Sequence, residues 1–293
     1  MKVLVSGSSG FIGSALMSYL LQRGSDVVRL VRRIPAEGEI QWDPDRGFID
    51  RTNIYGIDAV VHLAAESIVA GPWTADQKAR IKNSRVNGTR LLADTLSYME
   101  QPPSILACAS SDVYYGDRSD ELLSEFSGPG KTFLAGVSVE NESQTLGARE
   151  AGIRVVNMRF GMVIGPTVAG MIGRFKKGLG GTVGDGKHYI SWVTLYDAVR
   201  AVDYILNNDT LQGPVNVVTP NPVTNLEFTK TLGGILGRPT ILKRPLFLVK
   251  LMMGEMAEVE LVSVRMDPTL LMGAGFKFEY PELEGALRSV LGE

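Results

Sequence analysis

Residues 2–24 read KVLVSGSSGFIGSALMSYLLQRG. The stretch starts with a short apolar run, continues with glycines at positions 7, 10 and 13, and then shows helical spacing of apolar residues up to Gly24. A strand, a glycine turn and a helix in this order are typical of the first βαβ unit of a Rossmann sheet. Gly7 permits the tight turn, Gly10 lets the backbone approach a pyrophosphate, and Gly13 allows the helix to pack closely on the strand.

The same loop predicts a binding site for a dinucleotide. A helix that starts directly after the glycines points its free amide groups and its positive dipole end at an anion. The alternative, an ordinary glycine turn, does not explain three glycines between an apolar strand and an amphipathic helix. The predicted cofactor-binding residues of this segment are Gly7, Ser8, Ser9, Gly10, Phe11, Ile12 and Gly13.

The end of the second apolar run indicates which dinucleotide is bound. Proteins that bind NAD usually carry a carboxylate there for the ribose 2′-hydroxyl, whereas an arginine suits the 2′-phosphate of NADP. This chain has Leu30, Val31, Arg32 and Arg33 at that place. A guanidinium can bind a phosphate through two parallel hydrogen bonds, which makes Arg32 the first candidate and Arg33 the second. The predicted cofactor is NADP(H), and the alternative is a pair of solvated arginines at a strand end.

Apolar runs without alternation recur along the chain, as expected for parallel strands that are covered on both faces. They cover residues 3–6, 27–31, 59–65, 104–109, 155–160 and 215–218. Segments of helical period lie between them at 11–23, 85–99 and 133–151. This order predicts an α/β fold with a doubly wound parallel sheet of the Rossmann type.

The pattern of residue types along the sequence changes after about residue 165. A glycine-rich segment, GLGGTVGDGK, covers 178–187, and helical patterns follow at 224–236, 246–262 and 281–291. We therefore expect an NADP(H)-binding Rossmann domain over 1–165 and a smaller α/β lobe on the substrate side over 166–293. Segments at about 189–218 are expected to return to the Rossmann domain.

Composition limits the function classes. The 30 basic and 32 acidic residues nearly cancel, and 44% of the 293 residues are hydrophobic. No run of one charge sign favours nucleic acid or a membrane surface, so the expected partner is a small molecule. Cys108, the single cysteine, suits a reducing, cytoplasmic location. His62 and His188 lack the spacing of a metal site, and the oligomeric state stays open.

Several further motifs together resemble the extended and atypical short-chain dehydrogenase/reductases. They are VVHLAAES at 60–67, SRVNGTRLL at 84–92, SSDVYYGD at 110–117, RFGMVIGP at 159–166 and SWVTLYDAVRA at 191–201. QWD at 41–43, GPWTADQKARI at 71–81 and AGFKFEYPELEGAL at 274–287 resemble a subgroup described as sugar-nucleotide epimerase-like. The resemblance covers nearly the whole chain. It implies a nicotinamide cofactor that contacts Leu63, Ala64, Ala65, Glu66 and Arg159, with the loop from Arg159 to Pro166 beside the nicotinamide.

The chain departs from the family at the catalytic pair. The resemblance implies a Tyr-x-x-x-Lys motif, in which the lysine lowers the tyrosine pKa so that the phenol can exchange a proton with the substrate. The corresponding positions are Phe133 and Val137, which cannot donate or accept a proton. Lys131 precedes this segment instead of following it by one helical turn.

Four catalytic candidates remain near the end of the strand predicted at 104–109, namely Ser110, Ser111, Tyr114 and Tyr115. Either serine could bind a substrate carbonyl, and either tyrosine could replace the missing acid or simply pack in the core. Two functions remain open. One is an NADP(H)-dependent oxidoreductase or epimerase acting on a small polar or sugar-like substrate, and the other is a non-catalytic NADP(H)-binding regulator or sensor.

Overall fold

The computed structural model describes residues 1–165 and 168–292, and they form two compact units. Numbered in chain order, the strands are β1 (Lys2–Ser6), β2 (Asp26–Val31), β3 (Glu39–Asp43), β4 (Phe48–Ile49), β5 (Ala59–His62), β6 (Ile105–Ser111), β7 (Leu122–Leu123), β8 (Arg154–Phe160), β9 (Met162–Ile164), β10 (Gly181–Val183), β11 (Tyr189–Ile190), β12 (Trp192–Thr194), β13 (Gly213–Val217), β14 (Val223–Thr224), β15 (Leu242–Arg244) and β16 (Arg265–Met266). The helices are α1 (Phe11–Gln22), α2 (Ala75–Ser97), α3 (Phe133–Ser143), α4 (Leu146–Glu150), α5 (Ala169–Lys176), α6 (Leu195–Leu206), α7 (Asn225–Ile235), α8 (Leu246–Met253), α9 (Glu258–Leu261), α10 (Thr269–Gly273) and α11 (Leu283–Leu291).

The first unit is built on an eight-stranded sheet with the order β13-β8-β6-β5-β1-β2-β3-β4. Strand β1 pairs in parallel with both β2 and β5, and the pairs β2–β3 and β5–β6 are parallel as well. The short edge strand β4 runs antiparallel to β3. The chain moves outward from β1 through β2 and β3 and then returns to β5, so the strand order reverses between β1 and β5. Ligands of open α/β sheets bind at such a switch point.

The strands next to the switch point are buried on both faces. Val3, Leu4 and Val5 of β1 are fully buried, and so are the three apolar residues that begin β5. This continuous burial explains why the sequence shows apolar runs without alternation. The predicted Rossmann fold with a parallel sheet is confirmed.

The second unit comprises Asp112–Ala135, Phe160–Ala198 and Asn216–Glu293. It contains small two-stranded pairings, which are β9 with β12, β10 with β15, β11 with β14, and β7 with β16. One of its apolar clusters includes Trp192, Phe228 and Leu287. Helix α7 starts with a capping box, because Thr224 accepts from the Glu227 amide and the Glu227 carboxylate accepts from the Thr224 amide.

The division into two compact units does not follow a single boundary at residue 165. The first unit comprises Met1–Ser111, Gly136–Arg159 and Val199–Val215, so the segment that returns to the Rossmann sheet carries β13 and most of α6. The segment Asp112–Ala135 belongs to the second unit, although it precedes residue 165. Within the described residues, no helix combines the length and the apolar character that crossing a membrane requires.

Candidate functional site

The glycines of the loop 7–13 are required by close backbone approaches. Gly7 has a φ of +69°, and a Cβ atom there would lie 2.7 Å from backbone atoms of Leu63 and Ala64. A Cβ atom at Gly13 would lie 2.1 Å from the Gly7 carbonyl oxygen, whereas one at Gly10 would lie 3.1 Å from it. Side chains at 7 and 13 are therefore excluded by the backbone, which packs helix α1 and the end of β5 against this loop.

The start of helix α1 is open to an anion. Gly10 is its N-cap, no side chain caps the helix, and its first turn contains no acidic residue. The first amide groups of a helix have no partner within the helix, and the helix dipole places positive charge there. This end of α1 therefore has the donors and the sign of charge that a pyrophosphate needs.

The ends of β1 and β5 are joined by a buried hydrogen bond. The Ser6 hydroxyl lies 2.6 Å from His62 Nδ1, and the Ser6 oxygen also accepts from the Leu63 amide at 3.2 Å. Burial lowers the pKa of His62 to about 4, so the ring is neutral at pH 7. We conclude that His62 is a structural residue that fixes the spacing of the two strand ends.

The two predicted arginines at the end of β2 are in different situations. The Arg33 guanidinium donates to the Glu39 carboxylate at 2.7 Å and to the Ile34 carbonyl at 2.9 Å. Arg32 is exposed and makes no hydrogen bond or ion pair with the described residues. Arg32 can therefore turn to a ligand without breaking a contact, whereas Arg33 is tied to β3.

A cavity of about 530 Å³ lies at the switch point, entirely within the first unit. Ten of the fourteen predicted cofactor residues line it, namely Gly7, Ser8, Ser9, Gly10, Arg32, Arg33, Leu63, Ala64, Ala65 and Glu66. Phe11, Ile12 and Gly13 lie behind the loop in α1 and do not line it. Its volume is within the usual range for small-molecule and cofactor sites.

Sequence reasoning missed several residues of this cavity. Arg29, Trp42, Pro44, Asp45, Arg80, Asn83 and Ser84 also line it. The sequence does mark Arg29 as unusual, because it is the one charged residue inside the apolar run 27–31. This position could have indicated that its side chain has a role in the site. The lining contains four arginines and two carboxylates, so it carries a net positive charge.

Arg159 does not line the cavity. Its guanidinium is 3% exposed and binds both carboxylate oxygens of Glu142, through Nε at 2.9 Å and Nη2 at 2.8 Å. The Ser110 hydroxyl donates to the same carboxylate at 2.6 Å. Arg159 is thus placed to hold Glu142, and Glu142 holds Ser110 at the end of β6. The predicted loop that follows Arg159 ends at Pro166, which lies outside the described residues.

The catalytic candidates fall into two groups. Ser110 and Ser111 end β6 in the first unit and are half-buried. Tyr114 and Tyr115 lie in a short 3-10 helix (Asp112–Tyr115) of the second unit, with their rings edge to face at 5.3 Å. Phe133 and Val137 lie one turn apart on α3, and Val137 is 4% exposed. No proton donor therefore stands at the two positions of the family motif.

Tyr115 lies in the core of the second unit. Its side chain is fully buried, and its hydroxyl donates to the Asn216 side-chain oxygen at 2.7 Å. Asn216 is fully buried too, and its amide nitrogen donates to the Asp267 carbonyl at 2.9 Å. This geometry disfavours Tyr115 as the acid of a reaction, because its proton is used to satisfy a buried acceptor.

We expect Tyr115→Phe to lower the free energy of unfolding by about 1–3 kcal/mol, because Asn216 would keep a buried oxygen without its donor. Denaturation in urea, followed by circular dichroism, measures this loss. Tyr98→Phe is the matched control, since Tyr98 is 82% exposed, and it should change stability by less than about 0.5 kcal/mol. Equal stabilities of the two variants would contradict the structural role of Tyr115.

The sheet order and the cavity at its switch point define a Rossmann protein of the dinucleotide-binding type. The comparison with known families agrees. The chain belongs to the NAD dependent epimerase/dehydratase family, whose model matches residues 3–218. A second model, described as a domain of unknown function (DUF1731), matches residues 245–290.

Relatives match over nearly the whole length of this chain. The Epimerase family protein Mb2239 of Mycobacterium bovis is 38% identical and covers 97% of this chain and 96% of its own. The crystal structure of the human epimerase family protein SDR39U1 (isoform 2) with NADPH has a TM-score of 0.92, 29% identity and full coverage of both chains. A nucleoside-diphosphate sugar epimerase from Corynebacterium glutamicum has a TM-score of 0.82 and 31% identity, over 58% of its own chain. The predicted membership of the extended short-chain dehydrogenase/reductase superfamily is confirmed.

Proposed function

We propose that this protein binds NADP(H) in the cavity at the switch point. The main observation in support is that an open helix start and a group of arginines line the same cavity. In this proposal the amides at the start of α1 hold the pyrophosphate, and arginines at the end of β2 meet the 2′-phosphate. The human relative SDR39U1, whose structure is described with NADPH, supports this choice of cofactor.

NADPH should bind more tightly than NADH. A charge-assisted hydrogen bond to the 2′-phosphate contributes about 1.5–3 kcal/mol, which corresponds to about a 10- to 150-fold difference in affinity. Titration of both cofactors, followed by the quenching of protein fluorescence, measures the two dissociation constants. Equal constants would overturn the assignment of Arg32 to the phosphate.

We propose further that the protein is an oxidoreductase or epimerase of a small polar or sugar-like substrate, in the cytoplasm. When bound, the nicotinamide supplies hydride transfer, and the protein orients the substrate against it. The family of the chain and the sugar-nucleotide epimerase among its structural relatives support this class of substrate. Ser111 and Tyr114 are proposed catalytic residues, because their hydroxyl groups can bind a carbonyl or exchange a proton. Ser110 is proposed beside them as a hydrogen-bond acceptor, because its own proton is directed to Glu142.

A second candidate function is favoured by Phe133 and Val137. Because neither side chain can exchange a proton, the pocket could serve an NADP(H)-binding regulator or sensor that has no turnover. A screen of carbonyl compounds and nucleotide sugars, with NADPH oxidation and epimerisation as readouts, separates the two functions. Turnover that Ser111→Ala lowers without a change in NADPH affinity supports the enzyme. NADPH binding without turnover of any substrate favours the sensor.

A further inference from the structure

Arg29 stands on β2 beside the glycine loop. The register pairs Arg29 with Val5 and Leu30 with Ser6, so Arg29 is level with the last residues of β1. Its side chain is 37% exposed and lines the cavity together with Ser8, Arg32 and Arg33. In Rossmann proteins the 2′-position of the adenosine ribose lies at the end of the second strand, next to the glycine loop. Arg29 is therefore within the part of the cavity where a 2′-substituent is expected.

Two contacts fix the Arg29 guanidinium. Its Nε donates to the Ser8 hydroxyl oxygen at 3.0 Å, and its Nη1 lies 3.4 Å from the Glu39 carboxylate. The Ala36 amide and the Arg33 and Arg29 guanidinium groups keep the pKa of Glu39 below its ordinary value, so Glu39 stays ionised at neutral pH. Glu39 itself does not line the cavity. Nε and Nη1 are thus held by the protein, and Nη2, which contacts no described residue, is open to a ligand.

The contact with Arg29 also determines what Ser8 can do. Ser8 is 5% exposed, and its oxygen already accepts a hydrogen bond from Arg29. Its hydroxyl hydrogen donates to no described residue, so it is left for a ligand acceptor. A phosphate oxygen that binds here would meet a guanidinium and a hydroxyl donor that are already oriented, and it would not have to pay for ordering them.

The local charge fits a phosphate monoester. Three guanidinium groups, those of Arg29, Arg32 and Arg33, line the cavity, and one carboxylate, that of Glu39, pairs with two of them, Arg29 and Arg33. The cluster therefore keeps an excess of two positive charges. A phosphate monoester carries about −1.5 to −2 at pH 7. The 2′-hydroxyl of NADH, which is neutral, gains nothing from this excess.

We propose that Arg29, held by Ser8 and Glu39, is a specificity-determining residue that selects NADPH over NADH by binding the 2′-phosphate. The inference rests on the proposed function and changes the roles of the arginines in it. Arg29 and Arg32 contact the phosphate, and Arg33 acts through Glu39 as a positioning residue.

The test compares Arg29→Gln with the unchanged protein in titrations of NADPH and NADH. We expect the NADPH dissociation constant to rise by about 10- to 150-fold, and the NADH constant to change by less than about threefold. Arg29→Lys should be intermediate, because it keeps the charge and loses the forked geometry. Arg23→Gln is the matched control, since Arg23 pairs with Asp203 at 3.2 Å and does not line the cavity, and it should leave both constants unchanged.

The outcomes are distinguishable. If the unchanged protein binds neither cofactor, the proposed function fails. If it prefers NADPH and Arg29→Gln keeps the same preference, the inference fails and the proposed function stands. Circular dichroism checks that Arg29→Gln is folded. If it is not, Ser8→Ala is the second variant, and unchanged NADPH affinity of folded Ser8→Ala would equally overturn the inference.

Discussion

Gly10→Val is expected to abolish NADPH binding, with at least about a 100-fold loss of affinity, while the protein stays folded. Gly10 lines the cavity at the N-cap of α1, and a Cβ atom there would lie 3.1 Å from the Gly7 carbonyl oxygen. That distance is tight and can be relieved by a small shift, so the fold should tolerate the change. The isopropyl group would instead take the space in front of the helix amides, where the pyrophosphate is proposed to bind.

Two further glycine variants sharpen this experiment. Gly13→Ala would place its Cβ atom 2.1 Å from the Gly7 carbonyl oxygen, so it should lower both NADPH affinity and thermal stability. Gly136→Ala is the matched control, because a Cβ atom at this exposed position of α3 meets no atom within 4 Å. Fluorescence titration and thermal denaturation are measured for all three. Unchanged NADPH affinity in folded Gly10→Val would refute the role of the glycine loop in cofactor binding.

The Rossmann half of the chain was predictable because its determinants are local. The turn at Gly7, the helix from Phe11 and the buried strands leave direct traces in the sequence, as glycine spacing and apolar runs. The apolar runs do not show β3 because it carries polar residues such as Glu39 and Gln41, nor β4 because it has only two residues. Strand β3 is specified by its pairing with β2, and β4 by its pairing with β3, which a single sequence does not show.

Helix bounds were less predictable. The pattern at 133–151 predicts one helix, but the structure has two, α3 and α4, with a break at Gln144 and Thr145. The Thr145 hydroxyl donates to the Glu142 carbonyl at 2.7 Å, which offers the backbone an alternative to the next helical hydrogen bond. The pattern at 246–262 breaks at Gly254, whose φ is +56°. Only a structure shows that this glycine uses its left-handed freedom.

The site could be predicted where its residues are close in sequence. The loop 7–13 and the arginines at 32 and 33 belong to one βαβ unit, and most of these residues line one cavity. The contacts of Glu39 with Arg29, and of Glu142 with Ser110 and Arg159, join different elements of the fold. Burial of Tyr115 is also a property of the packed chain, because tyrosine alone is intermediate in burial.

The Glu142 carboxylate is expected to make a large electrostatic contribution to the stability of the first unit. Arg159 is 3% exposed and binds Glu142 through two nitrogens, and the Glu142 side chain is 12% exposed. Removing one partner of a buried ion pair leaves the other charge without its counterion, which typically costs about 3–5 kcal/mol. Glu142→Ala should therefore lower the free energy of unfolding by about that amount.

Glu140→Ala on the same helix is the matched control for this prediction. Glu140 pairs with Lys82 at 2.8 Å, but the two side chains are 42% and 43% exposed, and such surface pairs contribute about 0–1 kcal/mol. Urea denaturation of both variants gives the comparison directly. Similar small losses would show that Arg159 does not depend on Glu142. A large loss confined to Glu142→Ala would establish that the carboxylate which orients Ser110 is itself fixed by a buried guanidinium, as a proposed catalytic serine at the end of β6 requires.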